Sequence, residues 1–325
     1  MRTRRYLLNF QLFFIGCLCS LCSFATTFPN KPVTIVVPFP AGGSTDIMAR
    51  EISKGLAQKW KQAVIIQNKN GAAGVVGSEY VSKAQPDGYT LLMSGVGNFS
   101  IVPILYKNLP YDPEKSFTPI GAIAQFPYVV LVAPNFRIKS LQELVNYAKN
   151  HPGEVTYSSP GNGNGAHLAA EIFSNAADIT LLHIPFRGGE PAMEALMAGQ
   201  VNLYFAPALE AVNRVASNQV QALAQSGSIR SKALNSVPTI SESGYSGFNM
   251  NSWIGLVAPS GTPLNIVNQI SEDLIEVMND PKTRDWIAKR GANTLTLTPS
   301  NFRMLIEKDK QRFKNEIIRL NIKID

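Results

Sequence analysis

The residues best placed for chemistry are glycines, serines and asparagines gathered at helix starts. Phe39-Pro40-Ala41-Gly42-Gly43-Ser44-Thr45-Asp46 follows an apolar, β-branched run from Val33 to Val37 and precedes Met48, Ile52, Leu56 and Trp60 at every fourth position. The run reads as a strand buried on both faces, and the spacing as one apolar stripe on a helix. Gly42 and Gly43 permit a tight turn, with Ser44 expected as the N-cap. A strand feeding a glycine turn into a helix leaves unpaired N–H groups at the positive end of the helix dipole, which suits an anion. The same local pattern also fits an ordinary βα turn. No Lys-Ser/Thr follows the glycines, so the loop is not a nucleotide P-loop.

Two later loops repeat the construction. Ser158-Ser159-Pro160-Gly161-Asn162-Gly163-Asn164-Gly165-Ala166-His167 links a strand at Val155–Tyr157 to an apolar helix, and Pro185-Phe186-Arg187-Gly188-Gly189-Glu190 links a strand at Ile179–Ile184 to another. Ser94 to Asn98, including Gly95, reads as a flexible loop at the C-terminal end of strand Tyr89–Met93, where open α/β sheets take ligands. Gly71 to Gly77 approaches a dinucleotide fingerprint. Its first glycine is displaced by one residue, and no acid ends a strand about 20 residues on, so it reads as a helix start packed closely on a sheet.

Catalytic patterns are missing from the sequence. His151, His167 and His183 lie in separate elements without metal-ligand spacing. His151, beside Pro152 at a helix end, is expected in solvent, and His183, inside an apolar strand, as a satisfied core or cleft-edge residue. No serine sits in Gly-x-Ser-x-Gly, and the carboxylates are scattered over helix faces. No catalytic residue, metal or cofactor is therefore predicted. The loops are suited to holding an anion, not transforming it.

The elements that must position these loops alternate regularly. Further strands are expected at Ala63–Gln67, Tyr128–Ala133, Val201–Phe205, Val220–Ala224, Asn249–Ala258 and Thr294–Leu297. Ser140-Leu141-Gln142-Glu143 is a capping box opening a helix to about Asn150. Thr262 and Pro263 read as the N-cap and first residue of a helix lined by Val267, Ile270, Leu274 and Val277, and Phe302 to Leu320 forms a last helix. Such alternation defines an α/β protein with mostly parallel sheets.

The 325 residues, 45% hydrophobic and 16% charged, suit a folded body of two domains. Arg2, Arg4 and Arg5 supply three charges of the formal net +7, and no dense basic cluster follows, which argues against nucleic acid as a partner. The basic start, the apolar stretch from Leu7 to Phe24 and Ser23-Phe24-Ala25 predict a signal peptide over residues 1–25 and export to the periplasm. Phe14-Ile15-Gly16-Cys17 loosely resembles a lipid-attachment box, which is the competing reading. Cys17, Cys19 and Cys22 all fall inside the segment to be removed, so the mature chain would have neither a disulfide nor a thiol nucleophile.

Several motifs occur together and in order: Pro29-x-Lys31-Pro32-Val33, Val36-Val37-Pro38-Phe39-Pro40-Ala41-Gly42-Gly43, Asp46-Ile47-x-Ala49-Arg50 and Pro86-Asp87-Gly88-Tyr89-Thr90-Leu91-Leu92. Leu109-Pro110-Tyr111-Asp112-Pro113, Gly161-Asn162-Gly163 with His167-Leu168-Ala169, Val237-Pro238-Thr239 and Trp253-x-Gly255-Leu256-x-Ala258-Pro259 follow. With these the chain resembles the tripartite tricarboxylate transporter receptor family, also called Bug proteins, from about Phe28 onward. The resemblance implies a type II periplasmic binding protein with lobe one at residues 26–127 and 251–325, lobe two at 128–250, and crossing strands between them. It implies a monomeric receptor that captures a small carboxylate in the interlobe cleft and passes it to a large and a small membrane subunit. The alternative is a sensing adaptor for a receptor kinase.

The implied ligand residues are Phe39, Ala41, Gly42, Gly43, Ser44, Asp46 and Gly95 from lobe one. From lobe two they are Ser158, Ser159, Gly161, Asn162, Gly163, Asn164, His167, Phe186, Arg187 and Ala206, with Trp253 on the crossing segment, and the loops would act partly through ordered waters. Three departures bear on the ligand. Many relatives have Phe-Asp-Asn where this chain has Phe205-Ala206-Pro207, a serine run where it has Asn164-Gly165-Ala166, and Tyr-Lys where it has Phe186-Arg187. With Ala206 in place of the acid, no carboxylate is expected to receive an ammonium, so a carboxylate without an amine is predicted ahead of an amino acid. Waters and backbone carbonyls are the alternative ammonium acceptors. Cleavage near Ala25 is checked by mass spectrometry of the exported protein, where a retained Cys17, lipidated or not, would contradict it.

Overall fold

The computed structural model describes residues 28–322, so the signal-peptide, lipid-box and cysteine readings lie outside the described residues. The chain divides into residues 1–30 and a body, residues 31–325, that contains every strand and helix below.

Two groups of parallel strands build the body. In the first, β1 (Val33–Val37) lies between β2 (Val64–Asn68) and β3 (Thr90–Gly95). In the second, β5 (Thr156–Ser159) lies between β6 (Leu182–Pro185) and β7 (Leu203–Pro207). Two antiparallel strands join them: β4 (Phe117–Val132) and β9 (Asn251–Pro259), paired from Phe117↔Pro259 to Pro127↔Asn251. β9 also borders β3, and from Tyr128 onward β4 pairs with β7 and with β8 (Gln221–Gln225). The path is β2-β1-β3-β9-β4-β7-β5-β6, with β8 and β10 (Asn293–Thr294) attached to β4.

β4 begins well before the expected Tyr128 because Pro119, Gly121 and Pro127 look like breakers in the sequence. The strand absorbs the first two with register shifts at Pro119/Gly121 and Ala122/Ala124, the usual way a ladder tolerates a missing N–H. β10 is shorter than expected, although the Leu295 amide still donates to the Ile123 carbonyl at 2.8 Å. The other strands shift by a few residues only.

The helices are α1 (Ser44–Trp60), α2 (Val75–Ser82), α3 (Val102–Leu105), α4 (Leu141–Asn150), α5 (Gly165–Ala177), α6 (Gly189–Met197), α7 (Ala208–Ala216), α8 (Leu264–Asn279), α9 (Pro281–Lys289) and α10 (Pro299–Arg319). Met48, Ile52, Leu56 and Trp60 form the buried stripe of α1, and Trp60 Nε1 donates to Asp273 of α8 at 2.7 Å. Ser140 caps α4 as expected, accepting the Glu143 amide at 3.2 Å. Gly77 packs closely on the chain just past the ends of β1 and β2: a side chain there would begin 2.7 Å from the Lys69 carbonyl and from Pro38.

Four local expectations are corrected. Gly43, not Ser44, caps α1, because the Ser44 amide is engaged from outside the helix. Pro263 is the cap residue of α8, and the Thr262 hydroxyl turns back to the Pro259 carbonyl at 2.8 Å. Ser94 and Gly95 belong to β3, and Gly97–Ile101 forms a π-helical turn, so this segment is not a flexible loop. His151 is half-buried, stacked on Tyr147 at 4.2 Å, with Nδ1 2.9 Å from the Tyr147 carbonyl. Among the described residues no helix is long and apolar enough to cross a membrane.

Gly255 in β9 offers a check of the core. A Cβ there collides with the ring of Phe302 on α10, which has no exposed surface. Gly255→Ala should cost about 1–3 kcal/mol by overpacking, measured by urea unfolding, and Phe302→Leu in the same chain should recover part of it.

Candidate functional site

The first glycine loop is held from behind. The Asp46 side chain, 3% exposed, accepts the Gly42 amide at 3.0 Å, Arg50 Nε at 2.8 Å and Asn68 Nδ2 at 2.9 Å. Asn68 Nδ2 also donates to the Phe39 carbonyl at 2.9 Å. Burial pushes the Asp46 carboxyl up, but the bonds from Arg50, Asn68 and Gly42 outweigh it and hold the group below its ordinary range. Gly42 has φ +90°, which only glycine adopts easily, whereas Gly43 is ordinary extended backbone at φ −74°.

The second loop is also held internally. Asn164 caps α5, its Oδ1 accepting the Ala166 amide at 2.7 Å and the His167 amide at 3.1 Å. His167 Nδ1 accepts the Gly163 amide at 3.1 Å, which places the ring proton on Nε2. The His167 ring stacks on His183 at 4.1 Å, and His183 stacks on Tyr157 at 4.8 Å. His183 Nε2 lies 2.6 Å from Ser159 Oγ. Burial, with His183 adding to it, lowers His167 to about 3, and burial lowers His183 to about 4. Both rings are neutral at physiological pH, and neither is a cation for a ligand.

Between the two loops lies a cavity of about 80 Å³. Its lining comes from the first loop (Phe39, Gly43, Ser44, Thr45), the end of β3 and the π-turn (Gly95 to Asn98), and the α5 start (Asn164 to Ala166). Gly189 of α6 and Glu210 of α7 line it too, with Phe126 and Tyr128 of β4 and Ser252, Trp253 and Ile254 of β9. Trp253 and Phe99 stack at 6.1 Å with their planes 3° apart, and Trp253 Nε1 donates to Asp309 at 2.6 Å. Tyr128 Oη abuts Gly165 so closely that a Cβ there would collide with it.

Of the residues expected from the sequence, Phe39, Gly43, Ser44, Gly95, Asn164 and Trp253 line this cavity. The others stand behind or beside it. Ala41, Gly42 and Asp46 frame the first loop, and the buried Ser158 hydroxyl donates to the Ala192 carbonyl at 3.0 Å. Ser159, Gly161, Asn162, Gly163 and His167 shape the second loop, and the Phe186 amide donates to the Ser159 carbonyl at 2.9 Å. Arg187 is exposed, and Ala206 is buried in β7 opposite Val129.

The sequence reading missed Thr45, Asn98, Tyr128, Gly165, Ser252 and, above all, Glu210. Glu210 Oε1 accepts the Ser44 amide at 2.8 Å and Oε2 accepts the Tyr204 hydroxyl at 2.9 Å. Burial pushes its carboxyl up to about 7; the Ser44 and Tyr204 bonds oppose the shift and nearby Glu190 adds to it. The expectation that no acid stands at this site is thus corrected. The available signal was position: Glu210 lies in the first turn of α7, just past the C-terminal end of β7, where open α/β sheets place ligand groups.

A small cavity at crossing strands, walled by helix starts from two parallel-strand groups, defines the class: a periplasmic-type solute-binding protein. The chain belongs to the tripartite tricarboxylate transporter receptor family, whose profile, "Tripartite tricarboxylate transporter family receptor", matches residues 48–322. It is 32% identical over 297 residues to the "UPF0065 protein in tcbD-tcbE intergenic region" of Pseudomonas sp. (strain P51), covering 90% of this chain and 88% of that protein. It is 32% identical to protein BugT of Bordetella pertussis, with 89% of each chain covered. Among solved structures, R. palustris Rpa4515 with adipate is similar at a TM-score of 0.89 and 28% identity, covering 91% of this chain and 99% of that one. MatC (Rpa3494) from Rhodopseudomonas palustris with bound malate is similar at 0.84 and 30%, covering 89% and 99%.

The two neutral histidines predict a pH dependence of stability. Their folded values lie below the ordinary 6.5, so the unfolded chain takes up protons first as pH falls. Their contribution is complete above about 6.5 and is lost progressively toward 4 and 3. Glu210, raised to about 7, acts in the opposite direction over the same range, so the test is the difference between two chains. From about pH 7 to pH 5 the melting temperature of the wild type should fall relative to that of His183→Gln, and an equal response in both would contradict the assignment.

Proposed function

We infer that the chain is a periplasmic solute-binding receptor that captures a small carboxylate between two lobes and delivers it to the membrane subunits of a tripartite tricarboxylate-type transporter. The observation that carries this reading is the cavity itself: helix starts from both strand groups meet there beside an aromatic wall. Family membership supports it, as do the relatives solved with adipate and malate. The lobes are residues 26–127 with 251–325, and residues 128–250. The change of β4 partners at Tyr128 and the start of β9 at Asn251 support those boundaries.

In this reading Trp253, backed by the stacked Phe99 ring, flanks the apolar part of the solute, while polar groups at the helix starts take its ends. The α5 start receives a carboxylate, where the Gly165 amide nitrogen lies 3.7 Å from the place a Gly97 side chain would begin. The remaining sequence-derived residues, from Asp46 to His167, act by holding the two loops in shape.

The test is a thermal-shift screen of C4–C8 carboxylates on protein freed of bound solute. A solute at 100 times its dissociation constant stabilises the folded state by about 2.7 kcal/mol, a readily measured shift. At least one carboxylate should raise the melting temperature, and Gly97→Val, whose side chain would occupy the space before the Gly165 amide without a close clash at its Cβ, should abolish the response. No shift from any carboxylate at millimolar concentration would overturn the reading.

A further inference from the structure

Glu210 stands where a solute's own carboxylate would be expected. Its Oε1 takes the first-turn amide of α1 at Ser44, and both oxygens lie 2.7 Å from where a side chain on Gly189, the first residue of α6, would begin. The positive ends of two helices therefore already face an oxygen pair supplied by the chain. Other loop amides are similarly occupied: Gly42 by Asp46, Gly163 by His167, and Ala166 and His167 by Asn164.

The surrounding groups do not reverse this charge. Glu210 is faced by Tyr204 from β7, Glu190 from α6, Ser44 from α1 and Tyr128 from β4. Arg214, on its own helix, is held by Glu190 at 2.7 Å. Arg50 is held by Asp46, and His167 and His183 are neutral. Ser44, through its amide and its side chain, and Tyr204 hold the Glu210 carboxyl, which lines the cavity; a carboxylate offers about four lone-pair sites, so acceptor capacity remains there.

We propose that Glu210 determines ligand class: the pocket takes a solute with one carboxylate, held at the start of α5, and a hydrogen-bond donor, best an ammonium, set against Glu210. The proposal rests on the carboxylate-receptor reading above and narrows it. A dicarboxylate of the same length would place a second negative group beside an existing one in an enclosed site, where like charges cannot both ionise cheaply. An ammonium finds an acceptor already oriented by Ser44 and Tyr204.

The experiment is titration calorimetry on matched pairs: succinate with 3-aminopropanoate, glutarate with 4-aminobutyrate, and adipate with 5-aminopentanoate. Wild type and Glu210→Gln are compared. The wild type should favour the amine-bearing member of a pair by at least about tenfold at about pH 8, and Glu210→Gln should reduce that ratio to within about threefold. In the wild type, lowering the pH to about 6 protonates Glu210 and should tighten dicarboxylates while weakening amine-bearing solutes. This series needs no variant and decides the matter if Glu210→Gln does not fold. A preference unchanged by Glu210→Gln, or dicarboxylates bound more tightly by the wild type with no pH dependence, overturns the proposal and leaves the receptor reading standing. A wild-type protein that binds no member of any pair overturns both.

Discussion

The arrangement of this molecule depends on one strand changing partners. Up to Pro127, β4 is bonded to β9, and from Tyr128 it is bonded to β7 and β8. Each parallel group is an ordinary α/β assembly, and the two are joined because β4 and β9 pass between them. The cavity forms at that exchange. Phe126 faces Ser252 across the ladder, Gln125 faces Trp253, and Gly95 of β3 faces Ile254. Residues on either side of the partner change thus become the cavity wall, and the glycine-rich helix starts of both groups are carried to the same place.

A helix start in such a place must satisfy its amides whether or not a solute is present, since buried unpaired N–H groups are costly. This chain does so with its own oxygens. Asp46 and Asn164 are local solutions, within a few residues of the amides they accept. Glu210 is not local: it reaches Ser44 from 166 positions away and joins α7 to the first glycine loop. Its bonds to Ser44 and Tyr204 offset only part of the penalty of enclosing a carboxylate, which is why its proton affinity stays raised. The histidine stack has the same character, since neutral rings accept an amide without introducing a charge.

This division explains what the sequence disclosed. Strand β1, helix α1 and the glycine loops were legible because apolar period and turn chemistry are local. The early half of β4 was not, because its prolines and Gly121 read as breakers until bulges in the ladder accommodate them. Ser44 was misread as a cap for a related reason: a serine before an amphipathic helix predicts a local acceptor, and here the acceptor comes from α7. Glu210 itself, between Leu209 and Ala211 on an amphipathic helix, is locally indistinguishable from a solvated carboxylate. Only the folded sheet brings it to the cavity.

The aromatic wall leaves the polar ends to discriminate among solutes. Trp253 is stacked on Phe99, edged by Phe302 at 5.3 Å and fixed through Nε1 by Asp309, so it has little freedom to adapt its position. A wall of that kind sets width and excludes water, but two solutes of equal length and breadth meet it alike. Tenfold selectivity between them needs only about 1.4 kcal/mol, less than the usual penalty for leaving a buried polar group without a partner. On the proposed reading, that difference arises where a helix start has been neutralised from within. The loop whose sequence marks it as an anion site has its first-turn amide taken by a carboxylate in the folded chain, and that carboxylate, not the bare helix start, lines the cavity.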